Sequence, residues 1–194
     1  MNVAGLLLTG GRSTRMGVDK ASLVVDGVTL AERAAAALVA VVSPVLEIGP
    51  GYSSLAVVTE DTPGAGPLGA LVAGAAALAS RGHGGGAVVL ATDLPYVTAG
   101  LVRVLASHPS DATIVPLVNG RRQLLAARYS RQALERAPTL FGAGYRSLAA
   151  LVDEVDVVEL TGADLAPLVD LRELEDVDTP EDLTRLGLGD VSTS

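Results

Sequence analysis

Short apolar runs alternating with helix-like stretches constrain the fold of this chain more than any other feature. Val3–Leu8, Leu55–Val58, Ala87–Ala91 and Ala112–Pro116 are dominated by Val, Leu and Ala and lack polar alternation. Strands of a parallel sheet covered on both faces read this way, because neither face meets water. Between the runs lie helix signals. Thr29–Val41 is alanine-rich, with Glu32 and Arg33 near its start. Pro67–Ser80 opens on a proline, which a first helical turn tolerates, and carries Leu68, Leu71, Val72 and Leu78 at helix-compatible spacing. Thr98–Ala106 begins on a residue suited to an N-cap. Thr179-Pro180-Glu181-Asp182-Leu183 joins a cap, a first-turn proline and acids that complement the helix dipole. This alternation predicts a three-layer α/β fold with a mostly parallel sheet. No stretch reads as a linker, so residues 1–186 are expected to form a single domain, with 187–194 as a flexible tail. The segment 13–27 lacks a strong period and is expected to run as a loop and short hairpin over the sheet.

Composition narrows the chemistry. Apolar residues make up 49% of the 194, but only one Phe and four Tyr are present and no Trp, so Ala, Val and Leu must fill the core. The net charge of −8 argues against a nucleic-acid surface, which needs a basic face. The absence of Cys removes disulfides, thiolate metal sites and cysteine nucleophiles. Two histidines, His83 and His108, cannot build a multi-histidine metal site and are expected in loops. The N-terminal apolar run lacks a positive flank and is too short for a signal peptide. No segment reaches the about 20 apolar residues of a membrane span, and a cytoplasmic location is expected.

Four segments could carry chemistry. The first follows the Val3–Leu8 run: Thr9-Gly10-Gly11, then Arg12, Arg15 and Lys20. Glycines let a backbone approach phosphate and aim N–H groups at it, and the cations neutralise the remaining charge. The spacing fits neither GxxxxGK[ST] nor GxGxxG. An ordinary strand-to-helix turn also favours Gly-Gly, but three cations in one short segment favour a polyphosphate. The second is Thr92-Asp93-Leu94-Pro95, after the Ala87–Ala91 run. Ligands of open α/β sheets bind beyond the carboxyl ends of strands, and a carboxylate there suits Mg²⁺. Asp93 could instead cap the next helix; beside the cationic loop, the metal role is favoured. The third is Glu60-Asp61-Thr62 running into Gly64 and Gly66-Pro67-Leu68-Gly69, either a wall for a flat ligand or a plain loop before a helix. The fourth is Asn119-Gly120-Arg121-Arg122: a hairpin signal whose arginines could meet a second anion or lie solvated.

Taken in order, these segments resemble the molybdenum cofactor guanylyltransferase family. Leu8 to Lys20 is similar to the family's N-terminal Gly-Gly element. Asp61 with Gly66-Pro67-Leu68, Thr92-Asp93-Leu94-Pro95, and Asp176-Val177-Asp178-Thr179-Pro180-Glu181-Asp182-Leu183 are similar to its later elements. The resemblance implies a Rossmann-like nucleotidyltransferase fold, Mg²⁺ as cofactor, and transfer of GMP from GTP to the phosphate of molybdopterin with release of pyrophosphate. It implies nucleotide contacts at Leu8, Thr9, Gly10, Gly11, Lys20, Asp61, Gly66 and Asp93, a metal ligand at Asp93, and charge-stabilising roles for Arg15 and Lys20 beside Asp93. It leaves open a transient contact with molybdoenzyme-assembly proteins. The chain departs from the family at Thr9 (usually Ala), at Thr92 (usually Cys) and at Asp176 and Asp178 (usually Asn). The Asn usual after the family's second strand has no counterpart in Ile48-Gly49-Pro50-Gly51. Two alternatives stay open: a related cytidylyl- or sugar-phosphate nucleotidyltransferase, and a non-catalytic GTP-binding module of cofactor assembly.

Overall fold

The computed structural model describes residues 2–10, 19–59, 64–177, 179–188 and 192–193. The chain runs β1 (Val3–Leu8), β2 (Leu23–Val25), β3 (Val28–Thr29), α1 (Leu30–Val39), β4 (Val45–Ile48), β5 (Ala56–Val58), α2 (Gly66–Ser80) and β6 (Gly86–Ala91). It continues through α3 (Ala99–Ser107), β7 (Thr113–Val118), β8 (Arg121–Arg122), β9 (Ala126–Tyr129), α4 (Arg131–Gly142) and α5 (Leu148–Val152). It ends with β10 (Val157–Thr161), α6 (Gly162–Leu165), α7 (Pro180–Arg185) and β11 (Ser192–Thr193). The main sheet has the order β10-β7-β9-β6-β1-β4-β5, with β8 beside β7. The pairs β1–β4, β1–β6, β4–β5 and β7–β10 are parallel, and β9 runs against both of its neighbours. The sheet is mostly parallel, as the alternation predicts.

Successive residues of β1 feed opposite faces, as a strand's period of two requires. Ala4, Leu6 and Leu8 join Ile48, Leu71 and Leu140 in the core under α2, α4 and α5. Leu7 joins Leu38, Leu90, Leu101 and Leu105 under α1 and α3. Those two cores make the three layers. Helix α2 lies close against the sheet, since a Cβ on Gly74 would come within 2.8 Å of Leu6. A third, smaller core unites Leu23, Val25, Leu30, Val177, Leu186 and Leu188 with Tyr96. It bears on the expected tail: Leu188 is buried and β11 pairs antiparallel with β2, so part of 187–194 is packed against the body of the fold.

The helix caps follow the sequence. Thr29, Thr98 and Thr179 each accept a backbone N–H in the first turn of α1, α3 and α7, and Thr179 completes a capping box with Asp182. Asn119 and Gly120, both at positive φ, form the two-residue turn joining β7 to β8. The expected hairpin within 13–27 begins inside the described residues only at β2, which pairs with β3. Among the described residues no helix is long and apolar enough to cross a membrane.

Candidate nucleotide site

Register brings the site together. Leu8 pairs with both Ile48 and Ala91, so β1, β4 and β6 end level with one another. Thr9-Gly10, Gly49-Pro50-Gly51 and Thr92-Asp93 therefore leave the same sheet edge side by side. It is the carboxyl edge, where open α/β sheets bind ligands.

On β1 the first residues of the loop are held tightly. Leu8 and Thr9 are buried. The N–H groups of Thr9 and Gly10 both donate to Ile48 O, at 3.0 and 3.3 Å. These two bonds tie the end of β1 to the end of β4. Gly11, Arg12 and Arg15 lie outside the described residues, as does Asp61. Lys20 opens a 3-10 turn over Lys20–Ser22, capped by Asp19, whose carboxylate accepts the Ala21 N–H.

Asp93 sits in the turn after β6. It does not cap α3, a task performed by Thr98. The C-terminal segment holds this turn in place. The Val177 N–H donates to Asp93 O at 2.9 Å. Thr98 donates from both its N–H and its hydroxyl to the buried Glu173, at 3.0 and 2.7 Å. The Tyr96 hydroxyl donates to Leu186 O, and the Arg172 guanidinium lies 4.3 Å from the Tyr96 ring. Asp93, Leu94, Arg122, Gln123, Leu124, Leu125, Ala126 and Asp176 line a cavity of about 190 Å³. Asp176 thus comes beside Asp93, a convergence that the Asp176 position in sequence did not announce.

Gly66, at positive φ, packs against the segment before α5, where a Cβ would meet Arg146 O at 2.9 Å. Leu68 N–H donates to the same carbonyl at 3.1 Å. Arg122 is engaged by Glu159 at 2.6 Å and Asp153 at 2.9 Å, and these carboxylates raise its pKa. It is an ion-paired hairpin residue at the rim of the Asp93 cavity, and both it and Arg121 are exposed, the solvated arrangement that the sequence left open. His83 and His108 make local loop contacts, to Gly86 O and from Ser110 N–H, as expected.

Sequence reasoning missed Glu47. It is fully buried in β4, beside β1. The signal was available: one acid inside the apolar run Val45–Ile48. Burial pushes its pKa up, but hydrogen bonds from Ser53, Thr9 and the backbone of Tyr52 and Ser53 outweigh that and hold it below the usual carboxylate value.

A mostly parallel sheet between two helical layers, with a carboxylate and a glycine loop at the carboxyl ends of adjacent strands, defines the ligand-binding edge of an open α/β protein. Comparison with known proteins is more particular. A family model described as "MobA-like NTP transferase domain" matches residues 5–160. The "Probable molybdenum cofactor guanylyltransferase" of Mycobacterium tuberculosis H37Rv is 37% identical over 187 residues, 92% of each chain. Among solved structures, molybdopterin-guanine dinucleotide biosynthesis protein A from Archaeoglobus fulgidus superposes with a TM-score of 0.76 at 20% identity, over 94% of this chain and 95% of that one. Rv0371c of Mycobacterium tuberculosis, in complex with manganese, superposes with a TM-score of 0.68 at 22% identity, over 98% and 100% of the two chains. The chain belongs to the MobA-like NTP transferase family, on the side of the molybdenum cofactor guanylyltransferases.

Proposed function

We propose that this enzyme transfers GMP from GTP to the terminal phosphate of molybdopterin and releases pyrophosphate, with residues 1–186 acting as one nucleotidyltransferase domain. The observation that carries the reading is the common level of Leu8, Ile48 and Ala91, which sets the Thr9-Gly10 loop and the Asp93 turn side by side. The name of the Mycobacterium tuberculosis relative supports guanylyl transfer in particular. A cytoplasmic location and transient handover to molybdoenzyme-assembly proteins go with it.

The acceptor phosphate oxygen attacks the α-phosphorus of GTP; the new P–O bond forms as the bond to the β-phosphate oxygen breaks. The second pKa of a phosphate monoester is about 6, so the nucleophile is already largely dianionic at neutral pH and no general base is required. The protein's task is alignment and charge neutralisation. Leu8, Thr9, Gly10 and Gly11 would border the triphosphate, with Asp61 and Gly66 towards the base. Arg15 and Lys20 would neutralise charge on the departing pyrophosphate.

Asp93 would hold Mg²⁺, with Asp176 lining the same cavity. The fit is chemical. Mg²⁺ takes oxygen ligands and is commonly held by one or two carboxylates plus substrate phosphates. Among the described residues no group of three or more acids and histidines is placed to hold a metal ion, so substrate phosphate oxygens would have to complete the ligand set. The manganese bound by Rv0371c supports a divalent ion at this fold. When bound, the ion supplies Lewis-acid charge to the α-phosphate.

The test is pyrophosphate release from GTP and from CTP with molybdopterin as acceptor. Turnover with GTP well above that with CTP is expected. A clear preference for CTP overturns the guanylyl assignment, and GTP binding without any turnover favours the binding-module alternative.

A further inference from the structure

The buried Glu47 carboxylate has no place in the chemistry above, yet the structure surrounds it with donors. Taking a carboxylate out of water costs several kcal/mol unless its lone pairs are satisfied. Here Oε1 accepts from the Thr9 hydroxyl at 2.6 Å, Tyr52 N–H at 2.7 Å and Gly51 N–H at 3.1 Å. Oε2 accepts from the Ser53 hydroxyl at 2.6 Å and Ser53 N–H at 2.9 Å. Consecutive N–H groups converging on one anion form the kind of backbone nest that elsewhere cradles phosphate. In this chain the anion is built in.

The bonds from Glu47 leave its own strand in two directions. One goes to Thr9, in the loop after β1. The other goes through Tyr52, whose hydroxyl donates to Asp19 Oδ2. Asp19 caps the turn that begins with Lys20. One buried carboxylate therefore joins the 51–53 loop to Thr9 directly and to the Lys20 turn through Tyr52 and Asp19.

We propose that Glu47 is a positioning residue of the nucleotide site, setting the Thr9 loop directly and the Lys20 turn through Tyr52 and Asp19. The proposal rests on the reading of Lys20 as a triphosphate contact. A merely structural Glu47 would stabilise the fold without altering nucleotide affinity. A relay to Lys20 makes affinity depend on Tyr52 only while Lys20 is present.

The experiment is a double-mutant cycle read as the Kd for GTP by titration calorimetry, on the full chain, using wild type, Tyr52→Phe, Lys20→Met and the double variant. Tyr52→Phe removes one hydroxyl and leaves the donors to Glu47 in place, so its melting temperature should stay within about 3 °C of wild type, the scale of one part-buried hydrogen bond. We expect Tyr52→Phe to weaken GTP by about fivefold in wild type, the net worth of one hydrogen bond, and to have no effect in Lys20→Met. Unchanged affinity in Tyr52→Phe, or equal weakening in both backgrounds, overturns the relay. A wild-type chain that binds neither GTP nor CTP overturns the nucleotide reading itself, a result distinct from either. Glu47→Gln, run through the same cycle in place of Tyr52→Phe, should weaken GTP only while Lys20 is present, and equal weakening in both backgrounds overturns its positioning role; should it prove too unstable to measure, the cycle of Tyr52→Phe with Lys20→Met still decides whether the relay to Lys20 exists.

Discussion

The contact between Gly49 and the Thr9 loop yields a prediction whose size can be worked from the structure. Gly49 has φ of +148°, outside the range of L side chains. A Cβ there would lie 2.3 Å from Thr9 Oγ1 and 2.7 Å from Gly10 N. The second of these is backbone, held by its own bond to Ile48 O, and cannot turn aside. Gly49→Ala thus incurs two costs: roughly 1–3 kcal/mol of backbone strain and about as much again from the overlap. For a chain of this length, each kcal/mol lowers the melting temperature by roughly 2–4 °C. A loss of about 4 kcal/mol therefore becomes a fall of roughly 8–16 °C by scanning calorimetry.

A control separates the two costs. Gly82 also has positive φ, +79°, but nothing lies within 4 Å of its built Cβ. Gly82→Ala should lose about 1 kcal/mol, from strain alone. Adding Thr9→Ala to Gly49→Ala removes the overlap with Oγ1 and leaves that with Gly10 N, so the double variant should be more stable than the two single losses sum to. If Gly49→Ala melts within a few degrees of Gly82→Ala, the close approach of the β4 loop to the β1 loop is wrong, and the clamped site edge with it.

Three further outcomes are expected. Glu47→Gln replaces an ionised acceptor by an amide that presents N–H groups to other N–H groups, and should cost about 2 kcal/mol at pH 7. Because hydrogen bonding lowers the Glu47 pKa in the fold, that contribution is complete above the ordinary carboxylate value of about 4.3 and is lost as pH falls through the lowered value; the gap between urea melts of wild type and variant should therefore start to narrow only below about pH 4.3 and close as the lowered value is passed. Asp93→Asn, or removal of divalent ions by EDTA, should reduce pyrophosphate release on the order of 10²–10³-fold or more, with near-native circular dichroism; full turnover in Asp93→Asn would remove Asp93 from the chemistry. Tyr129 is fully buried and its hydroxyl donates to Leu124 O at 2.8 Å, beside the Asp93 cavity; Tyr129→Phe should cost about 1 kcal/mol, seen as a fall of roughly 2–4 °C in melting temperature.

Which elements were legible in the sequence follows from where their polar groups find partners. β1, β6 and β7 announce themselves because each is an apolar run with no charge to explain. The runs β4, β9 and β10 each contain a charged residue, Glu47, Arg128 or Glu159, and pattern reading passes over them. Two of these charges are buried and satisfied by groups the strand itself does not supply. Arg128 donates to the carbonyls of His108, Ser110 and Ala112, in the loop before β7. Glu47 is satisfied by Thr9 and the 51–53 loop. α4 hides for a different reason, since it carries Pro138 inside the helix. Its Ser130 cap is an ordinary start signal, but the proline reads as a stop.

The site shows the same division. The placement of Asp93 and of Thr9-Gly10 just beyond strand ends was legible because an apolar run stops before each. Thr9 and the missing Asn after the second strand read in sequence as separate departures from the family. In the structure they belong to one arrangement. Thr9 Oγ1 occupies the space that a side chain at Gly49 would need, and it is held there by Glu47. A Thr at position 9 is compatible only with glycine at position 49, and a buried acid at position 47 gives the hydroxyl a partner. The change at position 9 should therefore not be read as the loss of a nucleotide contact. Thr9, Glu47 and Gly49 form one hydrogen-bonded clamp between the ends of β1 and β4. Thr9→Ala in this chain is then expected to leave Glu47 short of a donor and to lower stability.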